Sequence, residues 1–304
     1  MKYFLSVYCR FRDESIYLRE FIEWHLLQGV EHFYMVDHLS KDYPLGVLNP
    51  YITKGLVSYS RYTEELPRPG SGQDHSAVFI RMGNQVLSQV RGETQWLAVL
   101  DSDEFLVPAP TIHLPQLLTT FQQYPAVAVN WQMFGTSNIE RVPPNRLLLE
   151  TMTLRADRDY GMNSHVKVII QPHLTAGMGI HNCIYVNNTH AVNTNQEPVT
   201  TSFNTPILTD KLKLHHYFSR DLEFLRTVKA PRRRAFGHSD QVLYEWDAEM
   251  NKQRDLSVIP YIEELRKRVL PPPWKEYLEA NPDLKTMGIT TREAVQLHWF
   301  NCIR

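Results

Sequence analysis

Residues 96–105 read Trp96-Leu97-Ala98-Val99-Leu100-Asp101-Ser102-Asp103-Glu104-Phe105, an apolar run that stops abruptly in acids. A continuous apolar stretch of this length suits a strand buried on both faces, as in a parallel sheet. At the end of such a strand, residues i and i+2 point to the same side. Asp101 and Asp103 are therefore expected to aim two carboxylates into one crevice, where open α/β sheets bind their ligands. Hard oxygen ligands at an open site suit Mg²⁺ or Mn²⁺ bridging to a diphosphate. Chance alone supplies an Asp-x-Asp triplet about once in a chain this long. The second triplet, Asp157-Arg158-Asp159, follows no apolar strand and reads as a solvated loop.

Upstream, the pattern alternates. Tyr3 to Cys9 reads as a strand, and Leu18, Phe21, Ile22 and Leu26 have helical spacing before the stop at Gly29. His32 to Val36 is a second strand, Leu45 to Thr53 a short helix, and Leu56 to Ser60 a third strand. Arg68 to Gln73 is a loop rich in breakers, and Val78, Met82, Val86 and Val90 mark a helix leading into the Trp96 strand. This alternation predicts a doubly wound, mostly parallel α/β sheet with flanking helices. Acids then fall at successive strand ends: Asp13 and Glu14, Asp37 and Asp42, Asp101 and Asp103.

Downstream, Ala126 to Phe134, His165 to Gln171 (interrupted by Lys167) and Leu212 to Phe218 read as strands. Helical patterns cover Asp221 to Val228 and Ser239 to about Arg268. Pro271-Pro272-Pro273 cannot continue a helix and reads as a linker. The expected organisation is a large domain over 1–270, with halves 1–110 and 111–270, and a small helical module over 271–304.

Composition narrows the class. At 304 residues the chain can bury one large α/β core. Its net charge of −1 argues against a nucleic-acid binder. The three dispersed cysteines, Cys9, Cys183 and Cys302, suit a reducing compartment and form no zinc pattern. No stretch approaches the roughly 20 apolar residues of a membrane span. A soluble cytoplasmic protein with at most peripheral membrane contact is the expectation.

Tyr17 to Val36 followed by Asp37-x-x-Ser40-x-Asp42, Trp96 to Phe105, Ala128 to Gly135, Lys167 to Pro172, and His216-Tyr-Phe-Ser-Arg220 with Glu223-Phe224 resemble family 92 glycosyltransferases and their bacterial relatives in the family 2-like clan. The motifs keep their order over roughly residues 1–255. The resemblance implies a GT-A fold, a nucleotide-sugar donor (most often a UDP-sugar), Mn²⁺ or Mg²⁺, a glycan or glycoconjugate acceptor, and inversion at the anomeric carbon. Animal members carry an N-terminal membrane helix; this sequence starts at the first strand, so the soluble bacterial or viral form is expected. Trp274 to Arg304 resembles a short helical module found beside sugar-transfer domains, with Asn301-Cys302-Ile303 replacing the usual glycine turn.

Roles follow from what sugar transfer demands. Asp101 and Asp103 would hold the metal, with His216 as third ligand and His181 as its rival. Arg12, Glu14 and Asp37, with Asp101, would hold the nucleoside and donor. Arg220, Lys229 and Arg232 are placed to reach the diphosphate, although the run Arg232 to Arg234 reads more readily as a solvated face. The carboxylate base that inversion requires is sought among Glu150, Asp157, Asp159 and Asp240, with Glu150 favoured and Asp159 second. Trp131 and His181 are candidates for acceptor contacts. Two other classes compete. A sugar nucleotidyltransferase would show a glycine-rich loop after the first strand, and Arg10 to Glu14 contains no glycine. A degenerate, carbohydrate-binding scaffold would not need the intact acids.

Overall fold

In the computed structural model, residues 1–67, 74–234 and 237–302 are described, with side chains to Trp299. The expected loop Arg68 to Gln73 and the terminal Ile303 and Arg304 lie outside the described residues. Strands β1 (Tyr3–Phe11), β2 (His32–His38), β3 (Val57–Tyr62) and β4 (Thr94–Asp101) alternate with helices α1 (Ser15–Leu27), α2 (Leu45–Thr53) and α3 (Ser76–Val90). β1 pairs in parallel with β2 and with β4, and β2 with β3. Residues of β4 feed two cores in turn. Trp96, Ala98 and Leu100 pack with Leu18, Phe21 and Trp24 of α1, while Leu97 and Val99 pack with Met82, Val86 and Val90 of α3. A strand covered on both faces must be apolar throughout, which is the pattern seen in the letters.

The Trp96 strand covers the whole apolar run and stops at the first acid. β4 ends at Asp101, Ser102 and Asp103 turn, and β5 (Glu104–Pro108) begins. Alternation along one strand therefore does not set the direction of Asp103. α4 (Leu114–Thr119), β6 (Ala126–Met133), α5 (Leu148–Thr151), β7 (Val166–Ile170), β8 (Ala191–Val192), β9 (Pro198–Val199) and β10 (Leu212–His216) follow. The sheet runs β9-β8-β6-β7-β4-β1-β2-β3, with β10 parallel to β6 and antiparallel to β5. β7 is antiparallel to both its neighbours, β4 and β6.

After β10 come α6 (Leu222–Phe224), a π-turn over Leu225–Lys229 and α7 (Ala230–Arg234). The helical pattern expected from Ser239 to about Arg268 is two helices, α8 (Asp240–Glu249) and α9 (Ile259–Val269). The C-terminal α10 (Trp274–Ala280), α11 (Asp283–Thr286) and α12 (Arg292–Cys302) have a small core of their own, Leu278, Leu284 and Val295. Among the described residues, no helix is long and apolar enough to cross a membrane.

α1 is fastened to β5 at one peptide. Trp24 Nε1–H donates to the Leu106 carbonyl at 2.9 Å, and the Leu106 N–H donates to His25 Nε2 at 3.3 Å. His25 Nδ1 meets the Phe21 carbonyl at 2.8 Å, so the ring is held neutral with its proton on Nδ1. Burial pushes His25 down to about 4. Because the folded value lies below the ordinary one near 6.5, the unfolded chain takes up a proton first as pH falls, and stability present above pH 6.5 is lost. Relative to His25→Gln, the native protein should lose about 2 kcal/mol between pH 7 and pH 5. Urea unfolding of both proteins at the two pH values measures this, and a constant gap would contradict it.

Candidate active site

Strand register builds the first half of the site. β1 and β4 are parallel with Arg10 opposite Asp101, and Arg10 Nη2 lies 2.9 Å from Asp101 Oδ1. Lys167, on β7, brings its amine to 2.7 Å from Asp101 Oδ2 and 3.4 Å from Glu104 Oε2. Its side chain is 1% exposed and that of Glu104 is fully buried. Glu104 also accepts the Asp101 N–H at 2.8 Å. Burial would raise Asp101, yet Arg10 and Lys167 together outweigh it and hold the carboxyl at about 2. Burial pushes Glu104 up against the pull of Lys167. Both Asp101 oxygens are thus occupied by cations of the protein itself.

The second half is assembled by β10. The Tyr217 N–H donates to the Asp103 carbonyl at 2.9 Å, and His216 lies opposite Glu104 in the β10–β5 pair. His216 Nε2 comes to 3.6 Å from Asp103 Oδ1, and Lys229 Nζ to 3.3 Å from Asp103 Oδ2. Lys229 ends the π-turn, a local widening of the helix that recurs at functional sites. Burial opposes the Asp103 charge, but Lys229 and His216 hold its carboxyl well below the ordinary range. Burial also lowers His216 and Lys229, each against the pull of Asp103.

Further cations gather here. Buried Arg220 pairs with Glu14 and lies over the rings of Tyr17 at 3.8 Å and Phe224 at 4.5 Å. Arg232 reaches the same Glu14 at 3.4 Å. Arg233 lies 5.1 Å over Phe218 and, among the described residues, has no carboxylate at ion-pair distance.

Does this set fit a divalent cation? The Asp103–His216 separation of 3.6 Å is too long for a good hydrogen bond and suits two ligands on one ion. His216 Nδ1 is buried without a partner. Asp101 fits poorly, since Arg10 and Lys167 already hold its two oxygens. No group of three or more His, Cys, Asp or Glu suited to a metal occurs among the described residues. Asp103 and His216 are the two residues that would hold such an ion, and Mg²⁺-type ions ordinarily complete such a pair with phosphate oxygens and water.

Several residues expected at the site serve the scaffold. Asp37 is fully buried; it accepts the Ser40 N–H at 2.7 Å and the Tyr59 hydroxyl at 2.9 Å. Asp13 accepts the Lys41 N–H and Asp42 the Ser15 N–H, interlocking the loops after β1 and β2. Of the acids after the first two strands, only Glu14 joins the Asp103 neighbourhood. Arg12 lies 3.8 Å from Asp13, and its carbonyl accepts from Arg232. Glu150 is 5% exposed, receives Arg266 at 3.0 Å and caps Leu147, so it ties α5 to α9. Asp159 is exposed in a loop, Asp157 accepts from Gln253, and Asp240 pairs with Arg234. None of these four bonds to the Asp101–Asp103 group.

Trp131 contacts His216 ring to ring at 4.4 Å, and His181 contacts Trp131 at 5.1 Å. Arg10 and Glu104 escaped the sequence reading, and Arg233 entered it only as part of the basic run Arg232 to Arg234. For Arg10 and Lys167 a signal existed: a lone cation in an apolar strand must meet a buried acid. A separate cleft of about 650 Å³ lies beyond Glu14 and Arg220, lined by Tyr17, Glu20, Arg141, Leu148 and Phe224.

An acid–imidazole pair with arginine and lysine beside it lies at the carboxyl end of a mostly parallel sheet, the place where open α/β proteins bind their ligands. Residues 7–254 match the model of glycosyltransferase family 92. The chain belongs to that family. Comparison with curated proteins gives no match. Among solved structures, S. aureus TarS 1–349 with UDP-GlcNAc is similar with a TM-score of 0.32 and 16% identity, over 56% of this chain and 46% of that one. The same protein with UDP gives 0.35 and 16%, over 56% and 47%. HddC from Yersinia pseudotuberculosis gives 0.27 and 12%, over 60% and 73%. The matched part spans about half the length of the TarS chains.

Proposed function

We propose that this protein moves a glycosyl group from a nucleoside-diphosphate sugar, in the first instance a UDP-sugar, to a hydroxyl of a glycan or glycoconjugate. The observation that carries the reading is the Asp103–His216 pair surrounded by Lys229, Arg220, Arg232 and Arg233. When the acceptor hydroxyl attacks the anomeric carbon and loses its proton to a general base, the carbon–oxygen bond to the diphosphate breaks and negative charge grows on the leaving group. Lys229 and Arg233 neutralise that charge. Arg220, clamped by Glu14, fixes the turn from which Lys229 approaches. A divalent cation held by Asp103 and His216, Mn²⁺ or Mg²⁺, would act there as a Lewis acid. Asp101, fixed by Arg10 and Lys167, presents its remaining lone pairs to the donor. Inversion accords with the family pattern.

The test is incubation with a panel of UDP- and GDP-sugars plus Mn²⁺, following nucleoside diphosphate release. Release from one donor, abolished by a chelator, is the expected result. Pyrophosphate release from a nucleoside triphosphate and a sugar phosphate would overturn the reading. Lys229→Ala should raise the KM for the donor by about tenfold or more, the worth of one charge-assisted hydrogen bond. A KM unchanged in that variant would remove Lys229 from the diphosphate site.

A further inference from the structure

Resting on that reading, we infer that Trp131, His165, His181 and Phe203 form a subsite for a pyranose ring, adjoining the Asp103–His216 pair. The rings make one connected cluster, whose inner members Trp131 and His216 are buried. Trp131 touches His216 at 4.4 Å and His181 at 5.1 Å, and it stacks on His165 at 4.8 Å with an interplanar angle of 18°. His165 in turn meets His181 at 5.3 Å and Phe203 at 4.5 Å. Phe203 is 51% exposed, so the chain of ring contacts leads from buried His216 out to solvent.

A plain core cluster would be apolar. This one holds three imidazoles and leaves two buried nitrogens, Trp131 Nε1 and His216 Nδ1, without a partner. His165 Nδ1 meets the Met162 carbonyl at 3.1 Å and His181 Nδ1 the Val166 carbonyl at 3.2 Å. Each ring therefore carries its proton on Nδ1 and keeps an Nε2 lone pair for a hydroxyl. Burial lowers both imidazoles, His181 to about 4, so they stay neutral at neutral pH. Aromatic faces for a ring's C–H side and a few fixed polar atoms for its hydroxyls are the ordinary make-up of a small-molecule site.

The surface is also held in place. Asn130, beside Trp131 on β6, donates to the carbonyls of Asn163 at 3.1 Å and Asn204 at 3.0 Å, and accepts from Asn204 Nδ2 at 2.7 Å. It thereby fastens both loops that present His165 and Phe203 to the sheet.

The bound ring belongs either to the donor or to the acceptor, and one set of measurements separates them. Calorimetry with UDP and with UDP-glucose, UDP-galactose and UDP-GlcNAc is run on the native protein, Phe203→Ala and His165→Ala. Ligand-observed NMR with a panel of methyl glycosides is run on the same three. For the donor sugar, UDP affinity stays within about twofold while affinity for the preferred UDP-sugar falls about tenfold. For the acceptor, nucleotide affinities hold and the glycoside signals of the native protein vanish in the variants. Folded variants that match the native protein for every UDP-sugar and every glycoside would overturn the subsite. Absence of UDP binding by the native protein would instead overturn the transferase reading, and the glycoside signals would still report on this surface alone.

Discussion

Asp103→Asn should reduce sugar transfer about a thousandfold while leaving the protein folded, because a Lewis acid at the leaving group is worth several kcal/mol. The variant keeps the backbone bond that matters to the turn, since it is the Asp103 carbonyl that receives the Tyr217 N–H. It removes the carboxylate that faces His216 and Lys229. His216→Ala should fall by a similar factor and, like Asp103→Asn, respond little to added Mn²⁺. Asp101→Asn should behave differently. It leaves Arg10 and Lys167 facing a neutral amide, so its first effect is on stability. Initial rates against Mn²⁺ concentration, with unfolding curves for each variant, make the comparison. Retention of more than about a tenth of the native turnover by Asp103→Asn would remove the metal role from this residue.

Lys167→Met should destabilise the fold by about 3–5 kcal/mol, because it leaves Asp101 and Glu104 with a buried cation removed. In a chain of this size that corresponds to a fall in Tm of about 5–8 °C. Methionine keeps the length of the side chain, so lost packing contributes little. Adding Glu104→Gln should restore part of the loss, since one unpaired carboxylate disappears; the double-mutant cycle isolates the coupling. A Tm for Lys167→Met within about 2 °C of the native value would show that the lysine carries no such burden.

How much of this was legible? The sheet was, because burial on both faces leaves an uninterrupted apolar run that no surface element shares. β1, β2, β4, α2 and β6 fall close to where the letters place them. The turn at Ser102 and Asp103 was not, since an apolar Phe105-Leu106-Val107 beyond the acids continues the pattern into a different strand. Asp37 illustrates a second limit. An acid after a strand looks the same whether it faces a ligand or accepts the Ser40 N–H and the Tyr59 hydroxyl. Glu150 shows a third: its partner Arg266 is far along the chain, on α9.

The local sequence by itself determined the strand–helix alternation, the strand end at which the acids lie, and, through ordered motifs, the glycosyltransferase family. Those properties depend on neighbours along the chain, which period and spacing record. Only the tertiary structure decided that Asp101 is clamped by Arg10 and Lys167 while Asp103 faces His216 and Lys229. That division depends on which strands lie side by side, β7 against β4 and β10 between β5 and β6. A carboxylate takes its role from the charges packed against it, and packing joins residues that the sequence keeps apart.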